Sequence, residues 1–147
     1  MACVQWRGFL ELVVMEPAEL NGGRFYLRPL HDDDRIDDRP LLTTLLGGDQ
    51  HHAVRQATED WHTGSRLTWA VCEQTWIDMA ALVVAEEQAD GSYKVCGYPV
   101  GDPTALVPNP DDLERKTYQD AADEGKATVL RWITGYLQRA AVDGQTG

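Results

Sequence analysis

Residues 66–100 read RLTWAVCEQTWIDMAALVVAEEQADGSYKVCGYPV. Three runs inside this stretch decide the fold: 67–72, 79–85 and 93–100. The first and third are rich in the β-branched and aromatic side chains that suit a pleated, half-buried surface. Asp90-Gly91-Ser92 separates the second run from the third, and Gly91 can take the positive φ that a tight hairpin needs. The pattern predicts an antiparallel meander of three strands. Side chains alternate with period two along a strand, so Leu67, Trp69 and Val71 are expected on one face.

Working outward, the chain length of 147 residues suits one domain with its own core. The proportions, 43% hydrophobic and 25% charged, are those of an ordinary soluble globular protein. A formal net charge of −11 argues against nucleic acid, whose binding rests on Lys and Arg neutralising phosphates. It argues equally against docking on anionic lipid. It suits a cationic or amine-bearing partner. Cys3, Cys72 and Cys96 form no CxxC pair, and Cys72 and Cys96 fall inside expected strands, where free cysteine is a small core residue. These points predict a cytoplasmic protein. Arg7 and Glu11 interrupt the apolar run near the start, so that run does not read as a signal peptide. No stretch approaches the ~20 apolar residues of a membrane span.

Taken in order, residues 1–20 read as an arm or extension, with Met15 an alternative start. Residues 21–140 read as a single α+β domain, and 141–147 as a polar tail that should fray. After the Asn21-Gly22-Gly23 turn signal, residues 24–30 read as a strand. HDDDRIDDRP, residues 31–40, lacks the spacing and turn glycine of a hard-cation loop. It reads as a solvated loop in which Asp37 or Asp38 caps a helix with Pro40 in its first turn. Leu41, Leu42, Leu45 and Leu46 form that helix's apolar stripe, and Gly47-Gly48 ends it. A second helix is expected over residues 50–62. His51 and His52 are adjacent, which faces them apart on a helix and does not make a metal pair. GDPTALVPNPDD, residues 101–112, reads as a loop with Leu106 and Val107 tucked back onto the sheet. Thr117 introduces the last helix, whose Val129–Trp132–Ile133–Tyr136 face is wide enough to cover a sheet.

The fold class expected is α+β: an antiparallel sheet of three to four strands, two helices in the N-terminal half and one long C-terminal helix. Glu73, Glu86 and Glu87 near strand ends would serve as a general base only if one were buried. Trp61, Trp69, Trp76 and Trp132 read as core and core rim, since no basic residues interleave them. No stretch carries a complete catalytic motif.

The order strand, two helices, three strands, helix resembles the first half of the GNAT (GCN5-related N-acetyltransferase) fold. GGRFYLRPLHDDD, residues 22–34, resembles the first strand of those enzymes. WHTGSRLTWAVCE, residues 61–73, resembles their second helix running into their second strand. EGKATVLRW, residues 124–132, resembles the start of their cofactor helix. The resemblance implies acetyl-CoA as cofactor, an amine substrate, and a cradle of backbone N–H groups at Gly125, Lys126, Ala127 and Thr128 that would hold the pyrophosphate. The leading Arg/Gln position of that family's loop is Ala122 here. The strands that follow the helix in the family have no counterpart in this reading. Gly125 therefore admits two readings: a cofactor cradle, or close packing of helix on sheet. If Thr117 caps the helix, the second applies. The second function class is a non-catalytic acidic interaction protein, such as an inhibitor or immunity-type partner of a basic protein. Candidate partners are thus an amine substrate, a basic protein and a second copy of the chain. No metal is expected.

Overall fold

The computed structural model describes residues 15–108 and 114–146. Six strands form one sheet in sequence order. They are β1 (Leu20–Asn21), β2 (Phe25–Arg28), β3 (Arg66–Glu73), β4 (Ala81–Glu87), β5 (Tyr93–Pro99) and β6 (Ala141–Thr146). The first five pair antiparallel, whereas β6 lies parallel to β5. The helices are α1 (Arg39–Leu46), α2 (Ala53–Thr63) and α3 (Tyr118–Trp132), and α3 runs on into a π-helical turn, Ile133–Leu137.

The meander stands as the alternation requires. Trp69 pairs with Val83 and Val83 with Gly97. Leu67, Trp69 and Val71 enter one buried cluster together with Val83, Ala85, Tyr93 and Val95 from the neighbouring strands. Thr68, Ala70 and Cys72 alternate with them, and Ala70 and Cys72 pack with Leu42, Leu82 and Val84 in a second cluster. The β4–β5 connection closes with Gln88 N–H donating to the Ser92 carbonyl at 2.7 Å, and Gly91 adopts φ +88°.

The sheet is larger than the three to four antiparallel strands read from the sequence, and it is partly parallel. Residues 141–146, expected to fray, form β6. Its pairing runs from Tyr93↔Ala141 to Gly97↔Thr146, with a register shift between Val95 and Gly97. The sequence AVDGQT carries little strand propensity. Its strand depends on the exposed edge of β5, to which α3 returns the chain, so local preference does not reveal it.

α3 lies close on the sheet because two glycines permit it. A Cβ on Gly97 would sit 2.8 Å from the Ala122 carbonyl oxygen, and one on Gly125 would sit 2.6 Å from Val71 Cγ2. Val129 and Ile133 are fully buried on this face. Tyr136, expected beside them, is 75% exposed. The π turn inserts extra backbone per turn and carries Tyr136 off the core stripe, where its ring stacks on Trp132 at 5.7 Å. Trp61, Trp69 and Trp132 meet edge to face at 5.0–6.1 Å. The indoles of Trp61 and Trp69 donate to the carbonyls of Thr68 and Ala18, which satisfies the polar handle that burial of tryptophan demands.

Loop details also depart from expectation. Asp38 is the N-cap of α1, but its carboxylate makes no cap hydrogen bond. Instead it receives both terminal nitrogens of Arg28, at 2.7 and 2.8 Å, and the His31 N–H. Burial opposes the charge on Arg28, but its hydrogen bonds to Asp38 and the neighbouring charges together raise the guanidinium pKa. α2 starts at Ala53, not Gln50. Val107 is buried as expected, whereas Leu106 is exposed. Residues 1–14, including the alternative-start reading and Cys3, lie outside the described residues.

Candidate functional site

Two regions bear on the implied chemistry: the N-terminus of α3, and the cleft beside it at the end of the sheet.

A helix N-terminus offers four N–H groups without intrahelical partners, and these would hold a phosphate. In α3 each first-turn donor is already engaged. Thr117 and Asp120 form a capping box: the Thr117 hydroxyl accepts from Asp120 N–H at 3.0 Å, and the Asp120 carboxylate accepts from Thr117 N–H at 2.8 Å. Tyr118 N–H donates to the Ala105 carbonyl at 3.0 Å and Gln119 N–H to the Pro103 carbonyl at 3.0 Å, while Ala121 N–H reaches the Thr117 carbonyl. The loop before the helix is shaped for this. Asp102 accepts from both the backbone and the hydroxyl of Thr104, and Leu106 bridges to Thr117. The chain's own carbonyls and the Asp120 carboxylate thus stand where an external anion would bind. Lys116, the nearby cation, is paired with Glu124 at 2.7 Å and Glu114 at 3.6 Å.

The four residues of the implied cradle lie two turns further along. Gly125 is buried against Val71 and Val83. Lys126 reaches across to Asp143 on β6, Nζ to Oδ1 2.8 Å. Thr128 is buried, and its hydroxyl donates to the Glu124 carbonyl at 2.9 Å. In this interior position helical N–H groups bond to carbonyls four residues back. The structure therefore spreads these side chains around the helix and does not converge them on one point.

Of the three glutamates, Glu73 meets the burial condition, at 1% exposed. Its oxygens are nevertheless taken: one accepts from Arg24 Nε, and the other from the backbone and hydroxyl of Thr75 at 3.2 and 3.3 Å. Glu87 pairs with Arg139 at 2.8 Å, and Glu86 stands 4.0 Å from Arg66. Glu73 lines a cleft of about 220 Å³ with Leu41, Trp76, Asp78, Val107 and Tyr118. Small-molecule sites start at about 300 Å³, and the part of this open cleft lined by the described residues is smaller. Among the described residues its wall is acidic and aromatic, with no cation lining it.

The remaining candidates do not assemble. His51 and His52 are exposed, with Nδ1 atoms toward Arg39 and Arg55 respectively. Among the described residues no three His, Cys, Asp or Glu side chains group as a metal site would require. Within the acidic loop, Asp33 accepts from the N–H groups of Arg35 and Ile36, and Asp37 from Arg39. Burial pushes the Cys72 thiol up to about 11, far from the depressed value of a nucleophile. No described helix is long and apolar enough to cross a membrane.

Sequence reasoning missed the capping of α3 by its own upstream loop. One signal was present: Thr117-x-x-Asp120 has the spacing of a capping box, with Asp in place of Glu. Compared with protein-family models and with curated proteins, the chain matches none.

Proposed function

We propose that this chain is a non-catalytic acidic binding domain, built on an acetyltransferase-like framework, whose partner is a basic protein. One observation carries the reading: every first-turn amide of α3 is spent within the chain, beside the carboxylate of Asp120. Without those donors a coenzyme pyrophosphate has no cradle, and an acetyl transfer has no donor. The order of β2, two helices, three strands and α3 supports the framework. The net charge of −11 supports the sign of the partner, because complementary potentials steer and select partners. The acetyl-CoA reading finds no comparable support in the side chains.

Calorimetric titration tests both halves. Acetyl-CoA should give no binding heat at millimolar concentration. A lysine-rich peptide should bind at low ionic strength and weaken as salt rises, since exposed charges are screened beyond about 8 Å at physiological salt. Micromolar acetyl-CoA binding would overturn the non-catalytic reading. A peptide that fails to bind even at low salt would overturn the basic partner while leaving the first result intact.

A further inference from the structure

Apart from the α3 region, a second cavity lies between α1, α2 and the sheet. It measures about 140 Å³. Leu42, Ala57 and Leu82 are among its apolar lining, and Asp60, Arg66 and Thr68 are among its polar groups. Two of those polar groups are unsatisfied. Thr68 is 5% exposed, and its hydroxyl has no hydrogen-bond partner among the described residues. Arg66 Nε is also without a hydrogen-bond partner, although the Arg66 side chain as a whole is 43% exposed, and the nearest carboxylate, Glu86, stands at 4.0 Å. Other polar groups here are paired: Gln56 Nε2 donates to Asp60 at 3.0 Å, and Trp61 Nε1 takes the Thr68 carbonyl at 3.2 Å. Leaving a buried donor unmade is costly, and native proteins rarely do so without a reason.

We propose that this cavity binds a small neutral molecule with a benzene-sized apolar body and one carbonyl oxygen. An enclosed apolar cavity of about 150 Å³ accommodates benzene, and this pocket, partly open and partly polar-walled, has nearly the same volume. The polar argument fixes the head group. Arg66 Nε–H can only donate and the Thr68 hydroxyl is free to donate, so the ligand must present an acceptor. Charge excludes a carboxylate as that acceptor, because Asp60 lines the cavity and Glu86 lies beside Arg66. An amide or ketone oxygen meets all three conditions. Water would satisfy the hydroxyl but leave the apolar walls against a polar occupant.

The test is a titration of the whole chain with benzamide, followed by NMR through the methyl groups of Ala53, Ala57, Thr68 and Leu82. Benzamide should give saturable shifts confined to these methyls, and benzoate should bind more weakly. Thr68→Val keeps the shape and removes the hydroxyl. It should weaken benzamide by roughly three- to tenfold, the size of one hydrogen bond, while leaving benzene binding unchanged or tighter. Its melting temperature should not fall, since an unsatisfied group is removed, and this keeps the variant interpretable. Ala57→Leu, which fills the cavity from α2, should abolish both ligands. Shifts that do not saturate, shifts that map elsewhere, or equal benzamide affinity in Thr68→Val would each overturn the proposal.

Discussion

Gly125 shows how one residue supports opposite functions until its surroundings are known. In the helix interior it costs about 1 kcal/mol relative to alanine, so propensity alone favours Gly125→Ala. Geometry opposes it, because the new Cβ would lie 2.6 Å from Val71 Cγ2 and 3.1 Å from Val83 Cγ2. Both neighbours are β-branched strand residues with little freedom to turn aside. Overpacking of this kind costs about 1–3 kcal/mol, which outweighs the helix gain. Gly125→Ala should therefore lower stability by a net of up to ~2 kcal/mol in urea melts, and pairing it with Val71→Ala should recover part of the loss. A stabilised single variant would show that α3 does not press on the sheet at this point. Cys72 gives a second residue-scale expectation. With its thiol pushed up to about 11 by burial, it should resist alkylation in native protein at pH 8 and react once denatured, as read by peptide mass spectrometry. Rapid native labelling at Cys72 would contradict the buried placement.

At the scale of elements, the start of α3 is set by the Thr117–Asp120 capping box. Thr117→Ala removes one half of the capping box and leaves Asp120 N–H without its acceptor. The expected loss is about 1 kcal/mol, with faster hydrogen exchange confined to the first turn. Unchanged exchange at Asp120 would mean that the cap is not formed. The same comparison shows where the sequence was readable. β3, β4 and β5 were legible because each buries a face, and burial imposes alternation or an unbroken apolar run. α3 was legible from its apolar stripe, and its capping residue was named correctly. Gly125 stayed open between a cradle and close packing because a Gly-x-Ala pattern looks alike at a helix start and in a helix interior. What distinguishes them is whether the preceding loop returns its carbonyls to the helix, and residues 103–105 do so through a fold that spacing does not disclose. The cavity under α1 and α2 was illegible for a similar reason. Thr68 stands in an ordinary strand pattern, and only the assembled packing leaves its hydroxyl unpaired.

At the scale of the whole molecule, the sheet formed by the described residues has two edges of different character. β1 is a two-residue edge, and short edge strands resist pairing with other chains. At the other side β6 shields β5, which carries the buried Tyr93 and Val95. Its hold is backbone pairing over four partnered positions, reinforced by Tyr93 N–H to the Ala140 carbonyl at 2.9 Å and by the Lys126–Asp143 ion pair. A chain ending at Ala140 keeps α3 and every tryptophan but leaves a long, apolar edge strand open. At a net ~1 kcal/mol for each hydrogen bond lost, the cost is on the order of 3 kcal/mol. For a domain of this size that corresponds to a fall of roughly 10 °C in melting temperature. The exposed edge should also pair with its own kind, so light scattering should show oligomers in the shortened chain that the full chain does not form at equal concentration. Asp143→Ala in the full chain separates the ion pair from the strand, because it breaks only a partly exposed contact worth at most about 1 kcal/mol. If the shortened chain melts with Asp143→Ala, within a degree or two, β6 contributes nothing beyond that contact. If it melts far below, the parallel strand is an integral part of the sheet.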